Sequence, residues 1–198
     1  HAPPVDANVD QLQKGMHPSQ RRLAFEELLA HRLCMRASRA EGKQLRSPRF
    51  SLDGNLVRRF LDSLPFTLTK SQQQVCDEIG SDLQQPLPML RLLQGDVGSG
   101  KTVVAAVTAL HALANSYQVA IRAPTEILAE QHLKNFQAWF APLNIQVGWL
   151  SGKVKGVARR ETLALVAEGK TQLLIGTHAL FQDEVIYNNL GLIVIDEQ

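Results

Sequence analysis

From Pro65 onward, apolar runs of strand length alternate with helical patterns, and that alternation leaves few folds open. Strands are expected over 89–94, 118–123, 145–150, 172–176 and 192–196. Helices are expected near 71–84, 101–114, 126–140 and 156–168. Continuously apolar strands separated by helices predict an α/β domain whose central parallel sheet is covered by helices on both faces. Right-handed crossovers then bring the C-terminal end of every strand to one edge of the sheet. Open sheets of this kind bind their ligands at that edge.

Residues 1–64 have a different texture. The polar stretch 1–16, with Pro3 and Pro4, reads as a loose lead-in. From Pro18 to about Glu41, Leu23, Phe25, Leu28, Leu29 and Leu33 form an apolar stripe flanked by Arg21, Arg22, Glu26, Glu27 and Arg32, the pattern of an amphipathic helix. Gly42, Pro48 and Asp53-Gly54 mark a linker, and a short helix over 56–64 stops before Pro65. The expected division is a helical linker segment over 1–64 and a nucleotide-binding domain over 65–198. The chain has no initial Met and stops at Asp196-Glu197-Gln198, directly after an apolar strand, so a piece of a larger protein is expected.

A formal net charge of +2 on 198 residues excludes a strong global field. Any contact with a polyanion must come from local geometry, backbone amides and a few cations. Cys34 and Cys76 lack partners at metal-ligand spacing and read as free thiols in a reducing compartment. No apolar run approaches the roughly 18 residues of a membrane span. With no signal peptide visible, a cytoplasmic protein is expected.

Two motifs carry chemistry. Gly95-Asp96-Val97-Gly98-Ser99-Gly100-Lys101-Thr102 matches G-x-x-x-x-G-K-[ST] and sits between an expected strand and an expected helix. Its glycines let amide N–H groups approach phosphate oxygens, and the positive end of the following helix points at the same place. Lys101 would reach the β- and γ-phosphates, and Thr102 would hold Mg²⁺ through its hydroxyl. At the last strand, Leu192-Ile193-Val194-Ile195 runs into Asp196-Glu197. Asp196 can hold Mg²⁺ through water, and Glu197 is placed to orient or deprotonate an attacking water. A strand leaving for solvent on charged residues is the alternative, and the upstream phosphate loop weighs against it.

GDVGSGKT, APTE (123–126), GTH (176–178) and DEQ (196–198) resemble the ordered motifs of the superfamily 2 helicases. The phrases 95–102, 123–132 and 21–29 resemble, within that superfamily, the bacterial branch-migration helicases. The resemblance covers the chain from about Pro18. It implies a RecA-like P-loop motor lobe using ATP and Mg²⁺. It also implies a helical linker from an N-terminal DNA-binding wedge domain, and a second RecA-like lobe supplying arginine fingers. Branched or double-stranded DNA is the implied partner, as stalled forks and Holliday junctions, in recombination and repair.

By the same resemblance, Gln72 within 68–72 reads adenine, whose edge an amide matches by donating and accepting at once. Phe66 either stacks on the base or joins the core. Pro124, Thr125 and Glu126 form a loop on the nucleic-acid backbone, where Thr125 can also cap the next helix. Ser151, Gly152 and Lys153 form a second such loop, with Lys155, Arg159 and Arg160 adding charge there or forming a solvated face. Thr177 and His178 open a third. Gln198 stands where the family couples the γ-phosphate to domain movement.

Related duplex translocases, such as the transcription-repair coupling factor and the replication-restart helicase, share these motifs; the segment at 21–29 separates them. A guanine-nucleotide switch would carry N-K-x-D, which does not occur. A small-molecule kinase has no need of APTE and DEQ at these places. Intact Lys101, Thr102, Asp196 and Glu197 speak against a degenerate scaffold. Arg122 is out of pattern, a charge inside an expected buried strand. It must reach an edge, meet an acidic partner, or mark a local variation.

Overall fold

The computed structural model describes residues 14, 17–42, 46–52, 54–96 and 98–196, and of 38–42 the backbone alone. Apart from Lys14, the polar lead-in 1–16 lies outside the described residues. The chain forms two compact units, residues 1–46 and 47–198.

Among its described residues the first unit contains the helix α1 (Pro18–Gly42). Pro18 suits its first turn, where a missing N–H costs no hydrogen bond. Arg22 Nε donates to the Glu26 carboxylate one turn on, at 2.9 Å. The stripe of Leu23, Phe25, Leu28, Leu29 and Leu33 is exposed along its length.

The second unit is built from α2 (Gly54–Ser63), α3 (Lys70–Leu83), α4 (Lys101–Ala114), β1 (Gln118–Arg122), α5 (Glu126–Phe140), β2 (Val147–Leu150), α6 (Gly156–Ala167), β3 (Leu173–Gly176) and β4 (Leu190–Ile195). Short 3₁₀ turns at Ala141–Leu143 and His178–Phe181 complete it. Residues 47–64 belong to this unit, and Phe50 and Phe60 are buried in its core.

The four strands are parallel, in the order β2-β3-β1-β4. Alternation along them sorts side chains to two faces. Leu173 and Ile175 of β3, with Val119 and Ile121 of β1, enter a large core with α2, α3, α4 and the Phe136 and Phe140 rings of α5. Leu174 and Leu150 turn to the other face and pack with Val166 of α6, Ala179 and Leu180. Across β1 and β3 both faces are therefore covered, as the unbroken apolar runs predict.

Gln118 is buried at the start of β1 and closes the far end of the sheet. Its Nε2 donates to the carbonyls of Val166 and Thr171, at 2.9 and 2.7 Å. Its Oε1 accepts from the N–H groups of Asn188 and Asn189, at 2.8 and 3.0 Å. One side chain thus joins four backbone groups from three segments of the chain.

Three expectations change. The segment 89–94 is not a strand: its backbone pairs with no neighbour among the described residues. A strand needs a partner's ladder, and β4 pairs with β1 alone. The segment is held through side chains instead. Arg91 Nη1 donates to Glu78 (2.8 Å) and its Nε to Asp82 (2.9 Å) on α3, while Leu90 and Leu92 stand exposed. Strand β4 is covered on one face only, with Leu192 buried but Ile193 and Ile195 exposed. Arg122 lies at the last position of β1, half-buried, so its charge reaches the rim.

Cys34 is exposed and Cys76 buried, and both are free thiols. Burial pushes the Cys76 thiol up to about 11, which keeps it protonated and inert. No helix among the described residues is long and apolar enough to cross a membrane.

His111, buried in the last turn of α4, has an Nδ1 without a hydrogen bond among the described residues. Burial holds its pKa below the ordinary value. The unfolded chain therefore binds a proton more readily than the folded one, and His111 favours folding fully only above about pH 6.5. Stability is expected to fall as pH drops below that value. Urea unfolding at pH 7.5 and 5.5 should show a smaller loss in His111→Leu than in the parent chain.

Candidate nucleotide and nucleic-acid site

Helix α4 is antiparallel to β1. It ends at Ala114, turns through three residues in which Ser116 has φ 62°, and leads into β1 at Gln118. Asn115 secures the turn, its Nδ2 donating to the carbonyls of Ser51 and His111, both at 2.8 Å. Fourteen residues of helix span about 21 Å, and five of strand about 17 Å. The N-terminus of α4, which packs on β1 and β4, thus returns to the rim where β1 ends.

That N-terminus carries the glycine-rich loop. Gly98 and Gly100 both have φ 82°, which a side chain would strain. Gly100 is the N-cap of α4 and has no side chain to cap the first amides of the helix. Gly95, Asp96 and Ser99 are exposed around them, and Val97 lies outside the described residues. Lys101 curls back over the loop, its Nζ donating to the carbonyls of Gly95 and Asp96 at 2.7 and 2.9 Å. Those carbonyls hold the ammonium within its own loop.

Gln72 is tied to the same loop. It is N3 of α3 in a capping box: the Thr69 hydroxyl accepts from the Gln72 N–H (3.2 Å), and Gln72 Oε1 accepts from the Thr69 N–H (2.9 Å). Its Nε2 donates to the Ser99 carbonyl at 2.9 Å. Both ends of the amide are engaged within the protein. Phe66 is half exposed and takes no part in the core.

The ladder brings the other loops level with this one. Arg122 is in register with both Gly176 and Ile195, and Gly176 with Leu150. The segments that follow these strands therefore leave from one rim. After β1, Thr125 caps α5, its hydroxyl accepting from the Leu128 N–H at 3.3 Å. After β2, the Lys153 ammonium pairs with Glu126 across the gap between the two loops. Hydrogen bonding from Lys153 first, and also from Ser151, with His178 nearby, holds the Glu126 carboxyl below its usual range. Glu126 likewise raises Lys153. Thr177 is buried and His178 exposed after β3. The three expected backbone loops thus meet around Glu126.

Arg159 is committed elsewhere. It pairs with Glu184, donates to Gln182 Oε1 at 2.7 Å, and donates to the Ser151 carbonyl at 3.4 Å. It holds loops together instead of adding a free cation. Gly152, Lys155 and Arg160 are exposed.

Asp196 continues the ladder beyond β4, its N–H donating to the Arg122 carbonyl at 2.8 Å. Its Oδ2 lies 2.6 Å from His132 Nε2 of α5. Glu197 and Gln198 lie outside the described residues. The sequence reading missed His132, although it stands four residues before Phe136 and eight before Phe140, a polar residue on an apolar face.

A magnesium ion fits these residues. It favours hard oxygen donors and keeps several waters, needing only one or two protein ligands beside substrate phosphates. A carboxylate at the rim and a hydroxyl in the first turn of α4 suit that role, and no cluster of three or more His, Cys, Asp or Glu is found among the described residues.

A parallel sheet with a glycine-rich loop, an acidic strand end and three further loops on one rim defines an α/β nucleotide-binding motor lobe. The family model described as "DEAD/DEAH box helicase" matches residues 69–198, and the chain belongs to that family. Membership in a helicase family implies the use of ATP. Over its whole length the chain is 54% identical to the ATP-dependent DNA helicase RecG of Pasteurella multocida and 51% identical to that of Escherichia coli (strain K12), spanning 29% of each. It is 40% identical to RecG of Aquifex aeolicus over 98% of its residues, spanning 25% of that protein. A solved structure, "Structure of RecG bound to three-way DNA junction", matches with a TM-score of 0.82 and 39% identity, over 93% of this chain and 27% of that one.

Replacing Gln72 by Ala removes a helix cap and a tether of the glycine-rich loop together. Chemical denaturation without nucleotide should show a loss of about 1 kcal/mol. A side chain that did nothing but read adenine would leave the nucleotide-free stability unchanged.

Proposed function

We propose that this chain is the ATP-binding lobe of an ATP-dependent DNA translocase that remodels branched DNA, such as stalled forks and Holliday junctions, in recombination and repair. The observation that carries the reading is the shared rim. The N-terminus of α4, Asp196 and the loops after β1, β2 and β3 all leave the sheet on one side. The similarity to RecG proteins, one of them solved on a three-way DNA junction, supports the substrate class.

In this reading the triphosphate lies against the amides of Gly95–Thr102. Lys101 leaves the Gly95 and Asp96 carbonyls for the β- and γ-phosphates, exchanging neutral acceptors for charged ones. Thr102 and Asp196 hold Mg²⁺, which neutralises charge on the phosphates when bound. Glu197 orients the attacking water, and Gln198 senses the γ-phosphate. Gln72 and Phe66 face the base. Pro124, Thr125, Glu126, Ser151, Gly152, Lys153, Thr177 and His178 line the path of the DNA backbone, where a phosphate competes with Glu126 for Lys153. The remaining parts of the engine are a second RecA-like lobe and a DNA-binding wedge domain on the same polypeptide. The cytoplasm is the compartment that fits a DNA-remodelling enzyme.

In the full-length protein, Lys101→Ala should reduce DNA-stimulated ATP turnover at least about a hundredfold. Persistence of that turnover would overturn the assignment of the phosphate loop. The isolated chain, lacking arginine fingers worth about 10³ or more in rate, should hydrolyse ATP very slowly whether or not DNA is present. A coupled ATPase assay at saturating DNA checks this, and robust stimulation of the isolated chain would contradict it.

A further inference from the structure

We infer that His132 is a positioning residue for Asp196: its Nε2–H holds one carboxylate oxygen, so that helix α5 sets how the carboxylate meets the metal. The inference rests on the reading of Asp196 as a magnesium-holding residue and adds a residue to it.

The contact is built from both sides. Strand β4 delivers Asp196 at the rim, fixed by its backbone bond to Arg122. Helix α5 starts at the same rim after Thr125, and His132 lies six residues further, about 9 Å along the axis. Phe136 and Phe140 follow at i+4 and i+8 and are buried, which fixes the face of α5 that carries His132. The His132 ring stands edge-on to Phe136, with centroids 6.5 Å apart and planes at 67°. Its side chain is only 12% exposed, and that of Asp196 28%.

The separation of 2.6 Å is short even for a charge-assisted N–H···O bond. His132 Nδ1 is buried and has no hydrogen-bond partner among the described residues. An ionised carboxylate can only accept, so the donor to it in this contact is Nε2–H. One oxygen of Asp196 is thereby committed, and His132 is its only side-chain partner among the described residues. A carboxylate fixed in this way meets an ion with less loss of rotamer freedom than one turning in solvent.

The position of α5 gives this contact a second consequence. Its N-terminus carries Pro124, Thr125 and Glu126, and Glu126 holds Lys153. A shift of α5 when these loops meet a phosphate backbone would move His132 and, with it, the carboxylate.

The test uses the full-length protein with His132→Gln, His132→Phe and Lys101→Ala, and a fluorescent ADP analogue titrated in EDTA and in Mg²⁺. His132→Phe preserves the ring against Phe136 but has no donor. His132→Gln restores an N–H donor at a similar reach. In EDTA both should bind the analogue within about twofold of the parent protein. In Mg²⁺, His132→Phe should lose about tenfold of the gain in affinity that the ion confers, and His132→Gln should retain most of it. At saturating DNA, kcat of His132→Phe should fall by a similar factor with the half-saturating DNA concentration unchanged. Thermal melting of the apo variants checks that His132→Phe is folded.

An undiminished magnesium gain in folded His132→Phe would overturn the inference. So would an equal loss in His132→Gln, because the donor would then not be what matters. Lys101→Ala should lose binding in both buffers. If it binds like the parent, the nucleotide site itself is misassigned, whereas failure of the His132 arms alone leaves that site standing.

Discussion

Parallel pairing of β1 with β3 on one side and β4 on the other decides where every loop of chemical interest emerges. Because the strands run the same way and end in register at Leu150, Gly176, Arg122 and Ile195, the chain leaves them at one level. Short connections do the rest. The three-residue turn before β1 reverses α4 and returns its N-terminus to that level, while Gln118 closes the opposite end with four hydrogen bonds. The rim gathers its polar groups without a buried charge inside the sheet.

Several polar groups at the rim are already engaged within the protein. Lys101 lies on carbonyls of its own loop, Gln72 joins a helix cap to that loop, Lys153 rests on Glu126, and Asp196 on His132. Internal partners of this kind lower the cost of holding charge ready in a half-desolvated place. In the proposed reading a ligand exchanges these partners instead of creating contacts from nothing. In that reading, a net charge of only +2 leaves nucleic-acid affinity to local exchange of this sort instead of a global field.

The limits of sequence reasoning show at particular residues. The helices over 101–114 and 126–140 come out as expected, because their periodicity, caps and bounding turns are local. The segment 89–94 has the composition of a strand, yet a strand is a relation between two segments, and among the described residues no ladder reaches it. Ile193 and Ile195 are as apolar as Leu173 and Leu174 but stand exposed, because covering a face depends on what packs there. Arg122 looks anomalous inside an apolar run and becomes ordinary at the last position of its strand. Arg159 looks like a spare cation until Glu184, 25 residues away, takes it.

By itself the sequence determined the chemical inventory: a glycine-rich loop of the G-x-x-x-x-G-K-[ST] pattern, an acidic strand end, and an α/β alternation that forces a parallel sheet. Those follow from short-range rules, since backbone conformation, capping and periodicity depend on neighbours a few residues apart. Tertiary structure alone decided which groups meet. His132 with Asp196, Glu126 with Lys153 and Gln72 with Ser99 are separated by tens of residues, and their distances depend on strand order, register and helix placement. Contacts of that kind are set by how the core packs, and the local pattern of a single segment carries no record of them.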